Sequence, residues 1–92
     1  MDLRLDGKVA VVTGASKGIG RCVAEFLARE GCDVVITART AAPLEAAAEK
    51  IAADTGRAVL PLAGDMSVTE DVQRCVDATL EQFGHIDILV TC

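Results

Sequence analysis

A glycine-rich stretch near the start of the chain, Thr13-Gly14-Ala15-Ser16-Lys17-Gly18-Ile19-Gly20, constrains the fold more than any other feature. It joins an apolar run, Val9 to Val12, to a segment with the apolar spacing of a helix. A glycine-rich turn between a strand and a helix lets backbone N–H groups approach a phosphate, and the helix N-terminus adds roughly half a positive charge there. The stretch therefore predicts a strand–turn–helix unit that binds a dinucleotide.

Apolar runs and amphipathic segments alternate along the chain in the order β-α-β-α-β-α-β. The predicted strands are Lys8 to Thr13, Asp33 to Ala38, Ala58 to Ala63 and Ile86 to Thr91. The first strand has no polar alternation, so both of its faces should be buried in a parallel sheet. Pro61 cannot donate to a sheet ladder, which indicates that the third strand is an edge strand. We predict a three-layer α/β fold of the Rossmann type with strand order 3-2-1-4.

Three helices are predicted between these strands. The first begins at Gly18 and ends at Gly31, and its apolar stripe consists of Ile19, Cys22, Val23, Phe26 and Leu27. The second runs from about Ala42 to Asp54, with an inner stripe of Leu44, Ala47, Ala48, Ile51 and Ala52. Ser67 and Glu70 fit a capping box at the start of the third. Because parallel crossovers are right-handed, the first two helices should cover one face of the sheet and the third the other.

Composition excludes several classes of protein. The chain has 92 residues and a net charge of −5, so we expect one small domain over residues 1–92. It has no cluster of Lys and Arg, which argues against a nucleic-acid partner. It lacks both a signal-peptide pattern and an apolar run of the roughly 20 residues that span a bilayer. We therefore expect a cytoplasmic protein without a membrane partner.

The four cysteines have no paired ligand spacing, which argues against a zinc site. Cys22 and Cys75 fall on apolar helical faces, so we expect buried free thiols. His85 is expected to be an exposed loop residue, and Asp87 to fix the local backbone rather than to act as a base.

The residues after the second strand favour NADP(H) over NAD(H). A site for NAD places a carboxylate there to hold the ribose hydroxyls. In this chain Ala38 and Arg39 follow the strand, and no Asp or Glu occurs between Val34 and Leu44. Arg39 suits a 2′-phosphate, and Lys17 could supply a second cation. Taken separately, either cation could instead be an ordinary solvated side chain.

Two further side chains are candidates for binding the dinucleotide. Asp65 follows the third strand and could accept a hydrogen bond from the adenine amino group, while the backbone of Met66 meets the edge of the ring. An ordinary turn aspartate is the alternative. Ser16 could bond a phosphate or ribose oxygen, or only its own turn.

Three stretches of the chain resemble the short-chain dehydrogenase/reductase family. They are the opening Leu5 to Gly20, the turn Gly64-Asp65-Met66-Ser67 and the run Phe83 to Val90. The resemblance covers essentially the whole chain and is nearest to the members that are like bacterial 3-oxoacyl-carrier-protein reductases. It implies a Rossmann domain and, for a full-length member, hydride transfer between NADPH and a carbonyl or alcohol.

The resemblance also implies which residues would bind the cofactor. Five would contact its pyrophosphate, ribose and nicotinamide portions: Gly14, Ser16, Gly18, Ile19 and Gly20. Lys17 and Arg39 would hold the 2′-phosphate, and Asp65 and Met66 the adenine.

The chain departs from the family pattern at its end, where Thr91-Cys92 stands in place of Asn-Asn-Ala-Gly. The family's catalytic Ser, its Tyr-x-x-x-Lys pair and its later Asn belong to a C-terminal half, and this sequence has no tyrosine. We therefore expect an incomplete N-terminal half with no catalytic residues, inactive alone. The alternative is a non-catalytic module that binds a dinucleotide or pairs through its open fourth strand, for example with a second copy.

Overall fold

The computed structural model describes residues 5–92, which form a parallel four-stranded sheet with helices on both faces. The strands are β1 (Val9–Thr13), β2 (Asp33–Ala38), β3 (Val59–Ala63) and β4 (Ile88–Val90). The helices are α1 (Gly18–Arg29), α2 (Ala41–Thr55) and α3 (Thr69–Phe83). The order of the strands is β3-β2-β1-β4 and every pairing is parallel, so the predicted Rossmann-type topology is confirmed.

β1 and β2 lie at the centre of the sheet because their side chains are apolar on both faces. Val12 and Ile36 pack in the larger core, beneath α1 and α2. Val11 and Val35 pack in a smaller core on the other face, with Cys75 of α3. This two-sided burial matches the predicted strands and the predicted placement of the helices. β3 is an outer strand, as its proline indicated.

α1 packs against the sheet through small residues rather than through the apolar stripe that the sequence predicts. Its buried residues are Gly20, Ala24, Leu27 and Ala28. Of the predicted stripe, Leu27 is buried, Val23 is half-buried, and Ile19, Cys22 and Phe26 are exposed. The prediction was wrong because it assigned the largest apolar side chains to the core, whereas glycine and alanine let the helix backbone approach the sheet. The predicted burial of the Cys22 thiol is wrong for the same reason.

α2 follows the sequence pattern closely, whereas the apolar Val72 and Leu80 of α3 are exposed. The buried residues of α2 are Leu44, Ala47, Ala48 and Ile51. α3 buries Cys75 and Thr79, and the Thr79 hydroxyl donates to the Cys75 carbonyl at 2.7 Å. Cys75 is therefore buried, as predicted. The C-cap residues of these two helices, Gly56 and Gly84, both lie in the left-handed region.

β4 is shorter than predicted, since it covers only Ile88–Val90, and it pairs with β1 alone among the described strands. Asp87 directly precedes β4, and its carboxylate accepts a hydrogen bond from the Val9 backbone N–H at 2.8 Å. His85 lies exposed beside this carboxylate. The expectation that Asp87 fixes the backbone and that His85 is an exposed loop residue is confirmed.

Candidate functional site

The carboxyl ends of β1, β2 and β3 open into a cleft of about 600 Å³. In parallel α/β sheets, ligands bind at this edge where the strand order reverses, here beside β1. Six of the nine residues predicted from the sequence line the cleft: Gly14, Ser16, Lys17, Arg39, Asp65 and Met66. The site therefore combines the glycine-rich turn, the end of β2 and the turn after β3.

The glycine-rich turn has a shape that side chains would disturb. Gly14 and Gly18 have φ angles of 64° and 65°, in the left-handed region that favours glycine. A Cβ atom on Gly20 would collide with the carbonyl of Gly14, so this position lets α1 start directly against the turn. The backbone N–H of Ala15 donates to the carbonyl of Thr37 at 3.1 Å, which ties the turn to β2.

The N-terminus of α1 is left without a side-chain cap. Its N-cap residue is Lys17, which makes no capping hydrogen bond, and the first turn has no acidic residue. A Cβ atom on Gly18 would meet nothing within 4 Å, so the space beside the helix start is open. The first N–H groups of such a helix favour an anion.

Three predicted residues lie outside the lining of the cleft. Gly20 is buried beneath the turn, and Gly18 and Ile19 line a shallow groove along α1 instead. The Ile19 side chain is 78% exposed. The structure therefore brings these residues to the helix start but not into the cleft itself.

Charge in the cleft is mainly positive. Lys17 approaches from the glycine-rich turn and Arg39 from the residue after β2, and both are exposed. Among the described residues that line the cleft, Asp65 is the single acidic one. This arrangement suits an anionic ligand, with one carboxylate left to accept hydrogen bonds.

The Asp65 carboxylate organises the turn after β3. Its Oδ1 atom accepts hydrogen bonds from the Ser67 backbone N–H at 2.9 Å and from the Ser67 hydroxyl at 2.6 Å. The hydrogen bond from the Ser67 hydroxyl is the largest cause that holds the pKa of Asp65 below its usual range, and the Ser67 N–H and the Arg39 charge add to it. Asp65 is therefore ionised at neutral pH and acts as an acceptor.

The predicted capping box is wrong. The N-cap of α3 is Val68, and no side chain caps that helix. The Ser67 hydroxyl donates back to Asp65 instead, because the aspartate two residues earlier offers a stronger acceptor within reach.

Several residues of the cleft were not candidates in the sequence. They are Thr13, Thr37, Ala38, Thr40, Pro43, Gly64, Ser67 and Cys92. The Thr13 hydroxyl accepts a hydrogen bond from the Cys92 N–H at 3.2 Å. The Thr37 hydroxyl is buried and has no partner among residues 5–92. Their position at the ends of predicted strands was the signal that could have identified Thr13, Thr37 and Ala38.

Two kinds of feature are absent from the described part of the chain. No helix there is long and apolar enough to cross a membrane. No three His, Cys, Asp or Glu side chains between residues 5 and 92 form a group that could hold a metal ion.

Comparison with known proteins gives concordant matches. Residues 8–92 match the family described as short chain dehydrogenase. The peroxisomal 2,4-dienoyl-CoA reductase of Mus musculus is 43% identical over 96% of this chain and 30% of its own length. L-Sorbose reductase from Gluconobacter frateurii, solved with NADPH and L-sorbose, is 42% identical with a TM-score of 0.94, over 97% of this chain and 34% of that chain.

A third match is a metagenomic short-chain oxidoreductase solved in complex with NADP, which is 38% identical with a TM-score of 0.84. The match covers 91% of this chain and 38% of that chain. The 92 residues thus span about a third of the length of these relatives.

Proposed function

The chain belongs to the short-chain dehydrogenase family, and we propose that it is the NADP(H)-binding N-terminal part of an oxidoreductase. The observation that carries this proposal is the cleft at the ends of β1 to β3, where an uncapped helix N-terminus and two cations meet. The solved relatives in complex with NADPH and NADP support the same assignment.

The pyrophosphate would lie against the start of α1. The helix dipole and the free N–H groups of its first turn attract a phosphate. Gly14 supplies a left-handed turn after β1, Gly18 leaves the space beside the helix start open, and Gly20 lets the helix begin close to the strand. Ser16, in the lining, would donate to a phosphate or ribose oxygen, and Ile19 would contribute its backbone at the helix start.

The 2′-phosphate of NADP(H) would lie between Lys17 and Arg39. Both side chains line the cleft, and the sequence has no Asp or Glu between residues 34 and 44 that could hold free ribose hydroxyls instead. A planar guanidinium donates several hydrogen bonds to a phosphate. NADP(H) is therefore proposed in preference to NAD(H).

The adenine would lie beside the turn after β3. The ionised Asp65 carboxylate would accept a hydrogen bond from the adenine amino group, and the backbone of Met66 would meet the edge of the ring. One oxygen of this carboxylate is engaged by Ser67, which leaves Oδ2 for the base.

The nicotinamide group, when bound, supplies the hydride that the family transfers to or from a carbonyl or alcohol. A proton donor near the carbonyl oxygen is needed for that reaction, and the sequence has no tyrosine to match the family's donor. We propose that these 92 residues alone do not reduce carbonyls.

The relatives are named for different substrates, a dienoyl-CoA and L-sorbose, so no substrate is proposed. A cytoplasmic location is proposed as well, although the mouse relative is named for the peroxisome.

Thermal unfolding with and without NADPH tests the proposal. At 100 times its dissociation constant, NADPH should stabilise the protein by about 2.7 kcal/mol. Ile19→Asp adds an acid to the first turn of α1, which favours the free helix but repels a pyrophosphate. This variant should fold and lose the response to NADPH.

Thr69→Asp is the matched control, because it adds the same charge to the first turn of α3 outside the lining of the cleft. It should keep the response. Absence of any NADPH response in the wild-type protein would contradict the proposed function.

A second candidate function, self-association through β4, is favoured by one observation. Leu89 is 66% exposed on this strand, next to an apolar cavity of about 240 Å³ that Val72 and Ile86 also line. No described strand pairs with the outer edge of β4. Light scattering should then give a defined dimer, and a monomer would count against this candidate.

A further inference from the structure

The turn that carries Asp65 and Met66 is held in place from two sides. On one side, the Gly64 backbone N–H donates to the carbonyl of Ala38 at 2.9 Å, which fastens the turn to the end of β2. On the other side, the Asp65 backbone N–H donates to Oδ2 of Asp71 at 2.8 Å. Because Asp71 belongs to the first turn of α3, this second bond fastens the turn to that helix.

The Asp71 side chain is constrained by more contacts than an acid on the open surface would have. It is 21% exposed, and its other oxygen, Oδ1, forms an ion pair with Arg74 at 2.9 Å. A Cβ atom on Gly64 would lie 3.4 Å from the Cβ of Asp71, so the two residues are closely packed. An acid in the first turn of a helix is also favoured by the helix dipole.

Asp71 itself lies outside the lining of the cleft. Its carboxylate acts on the backbone of Asp65, whereas the Asp65 carboxylate faces the cleft and is oriented by Ser67. The bond to Asp71 thus fixes the main chain at Asp65, which carries the side chain that faces the cleft and directly precedes Met66.

We propose that Asp71 is a positioning residue for base recognition: it holds the Asp65 main chain from outside the cleft, so that Asp65 and Met66 meet the adenine in the correct orientation. The proposal rests on the proposed function, since it concerns the adenine end of the same site. Asp71 touches no ligand in this account and acts only through Asp65.

Asp71→Ser is the variant that tests this role, because its side chain is one bond shorter and should not reach the Asp65 amide. Asp77→Ser is the matched control, since Asp77 is an exposed acid of the same helix that pairs with Gln73. Asp71→Asn keeps an acceptor oxygen at the same distance and should behave like the wild-type protein.

The first readout is amide hydrogen exchange in the ligand-free protein, followed by NMR. The Asp65 amide should exchange about tenfold faster or more in Asp71→Ser, and at the wild-type rate in Asp77→Ser. In the wild-type chain it should be better protected than the Met66 amide, for which no acceptor is found among the described residues. Equal exchange of these two wild-type amides would overturn the proposal even if Asp71→Ser failed to fold.

The second readout is the ratio of the dissociation constants of NADPH and its hypoxanthine analogue, which has a carbonyl in place of the adenine amino group. Wild-type protein should prefer NADPH by about tenfold, the order expected for one hydrogen bond to a charged group. In Asp71→Ser the preference should fall below about threefold, while Asp71→Asn and Asp77→Ser keep it. A folded Asp71→Ser with the wild-type ratio would overturn the role of Asp71, whereas wild-type protein that binds neither dinucleotide would contradict the proposed function itself.

Discussion

The Asp87 carboxylate accepts a hydrogen bond from the backbone N–H of Val9 at 2.8 Å, although the two residues are 78 positions apart in the chain. The bond joins the start of β1 to the residue before β4, at the end of the sheet opposite the cleft. Nδ1 of His85 lies 2.7 Å from the same carboxylate oxygen. Since β4 pairs with β1 over only three residues, this side chain contributes to holding the outer strand in place.

This bond should make stability depend on pH. The Val9 N–H holds the pKa of Asp87 below its ordinary value of 3.8, and His85 adds to the effect. Because the pKa is lower in the folded state, the ionised carboxylate stabilises the fold above the ordinary value, and this contribution is lost as the pH falls through the folded value. Asp87→Asn cannot ionise, so it should show lower stability at neutral pH and a shallower decline in acid, measured from urea midpoints.

Asp77→Asn provides the control for that series, since Asp77 is an exposed acid whose partner, Gln73, lies on the same helix. It should keep the wild-type slope between neutral and acidic pH. Identical slopes for the wild-type protein and Asp87→Asn would show that the Val9 bond does not contribute.

Gly20→Ala should destabilise the protein, although alanine is favoured in helices. At an ordinary helix position this change gains about 1 kcal/mol. Here the new Cβ would collide with the carbonyl of Gly14, and overpacking of this kind costs about 1–3 kcal/mol. Urea unfolding should therefore give a lower midpoint. Gln82→Ala, at an exposed position of α3, should show a small gain from helix propensity, and any gain in Gly20→Ala would contradict the close packing of α1 on the turn.

Leu89→Lys tests the candidate association surface on β4. A charge at this exposed position should convert a dimer to a monomer, because a lysine on an edge strand opposes further pairing. Ile19→Lys is the control, since Ile19 is also apolar and is more exposed than Leu89 but lies on α1. Light scattering would follow both variants. An association state that responds to Ile19→Lys and not to Leu89→Lys would place the interface elsewhere.

Arg39→Ala should weaken the binding of NADPH and leave the binding of NADH unchanged. Loss of hydrogen bonds to a charged group corresponds to about a 10- to 100-fold rise in the dissociation constant. Arg29→Ala is the matched control, because Arg29 is an exposed arginine in the last turn of α1, at the far end of that helix from the cleft. Titration calorimetry with both dinucleotides would measure the effect. Parallel losses for NADPH and NADH in Arg39→Ala would argue against a 2′-phosphate contact.

Much of the fold could be predicted from the sequence because its strongest patterns are local. The unbroken apolar run of β1 and the proline of β3 sufficed to place a central and an outer strand. The stripe of α2 was predicted well since its apolar residues follow one face. The face of α1 was not, because the sequence pattern weighs side-chain size, whereas the helix packs through Gly20, Ala24 and Ala28.

The candidate site could be predicted less completely. The turns that contribute Lys17, Arg39 and Asp65 follow predicted strands, so their convergence in one cleft follows from the topology. The bond from the Asp65 amide to Asp71 could not be foreseen, because it depends on the path of a turn between them. The same turn geometry directs the Ser67 hydroxyl to Asp65. The capping-box pattern therefore predicted the wrong hydrogen-bond partner for Ser67.

The central claim, that the cleft is built for NADP(H), is tested most directly by the ratio of the dissociation constants of NADPH and NADH for the wild-type protein. Lys17 and Arg39 line the cleft, and the sequence has no Asp or Glu between residues 34 and 44, so NADPH should bind at least about tenfold more tightly. Equal affinities, or tighter binding of NADH, would contradict the account.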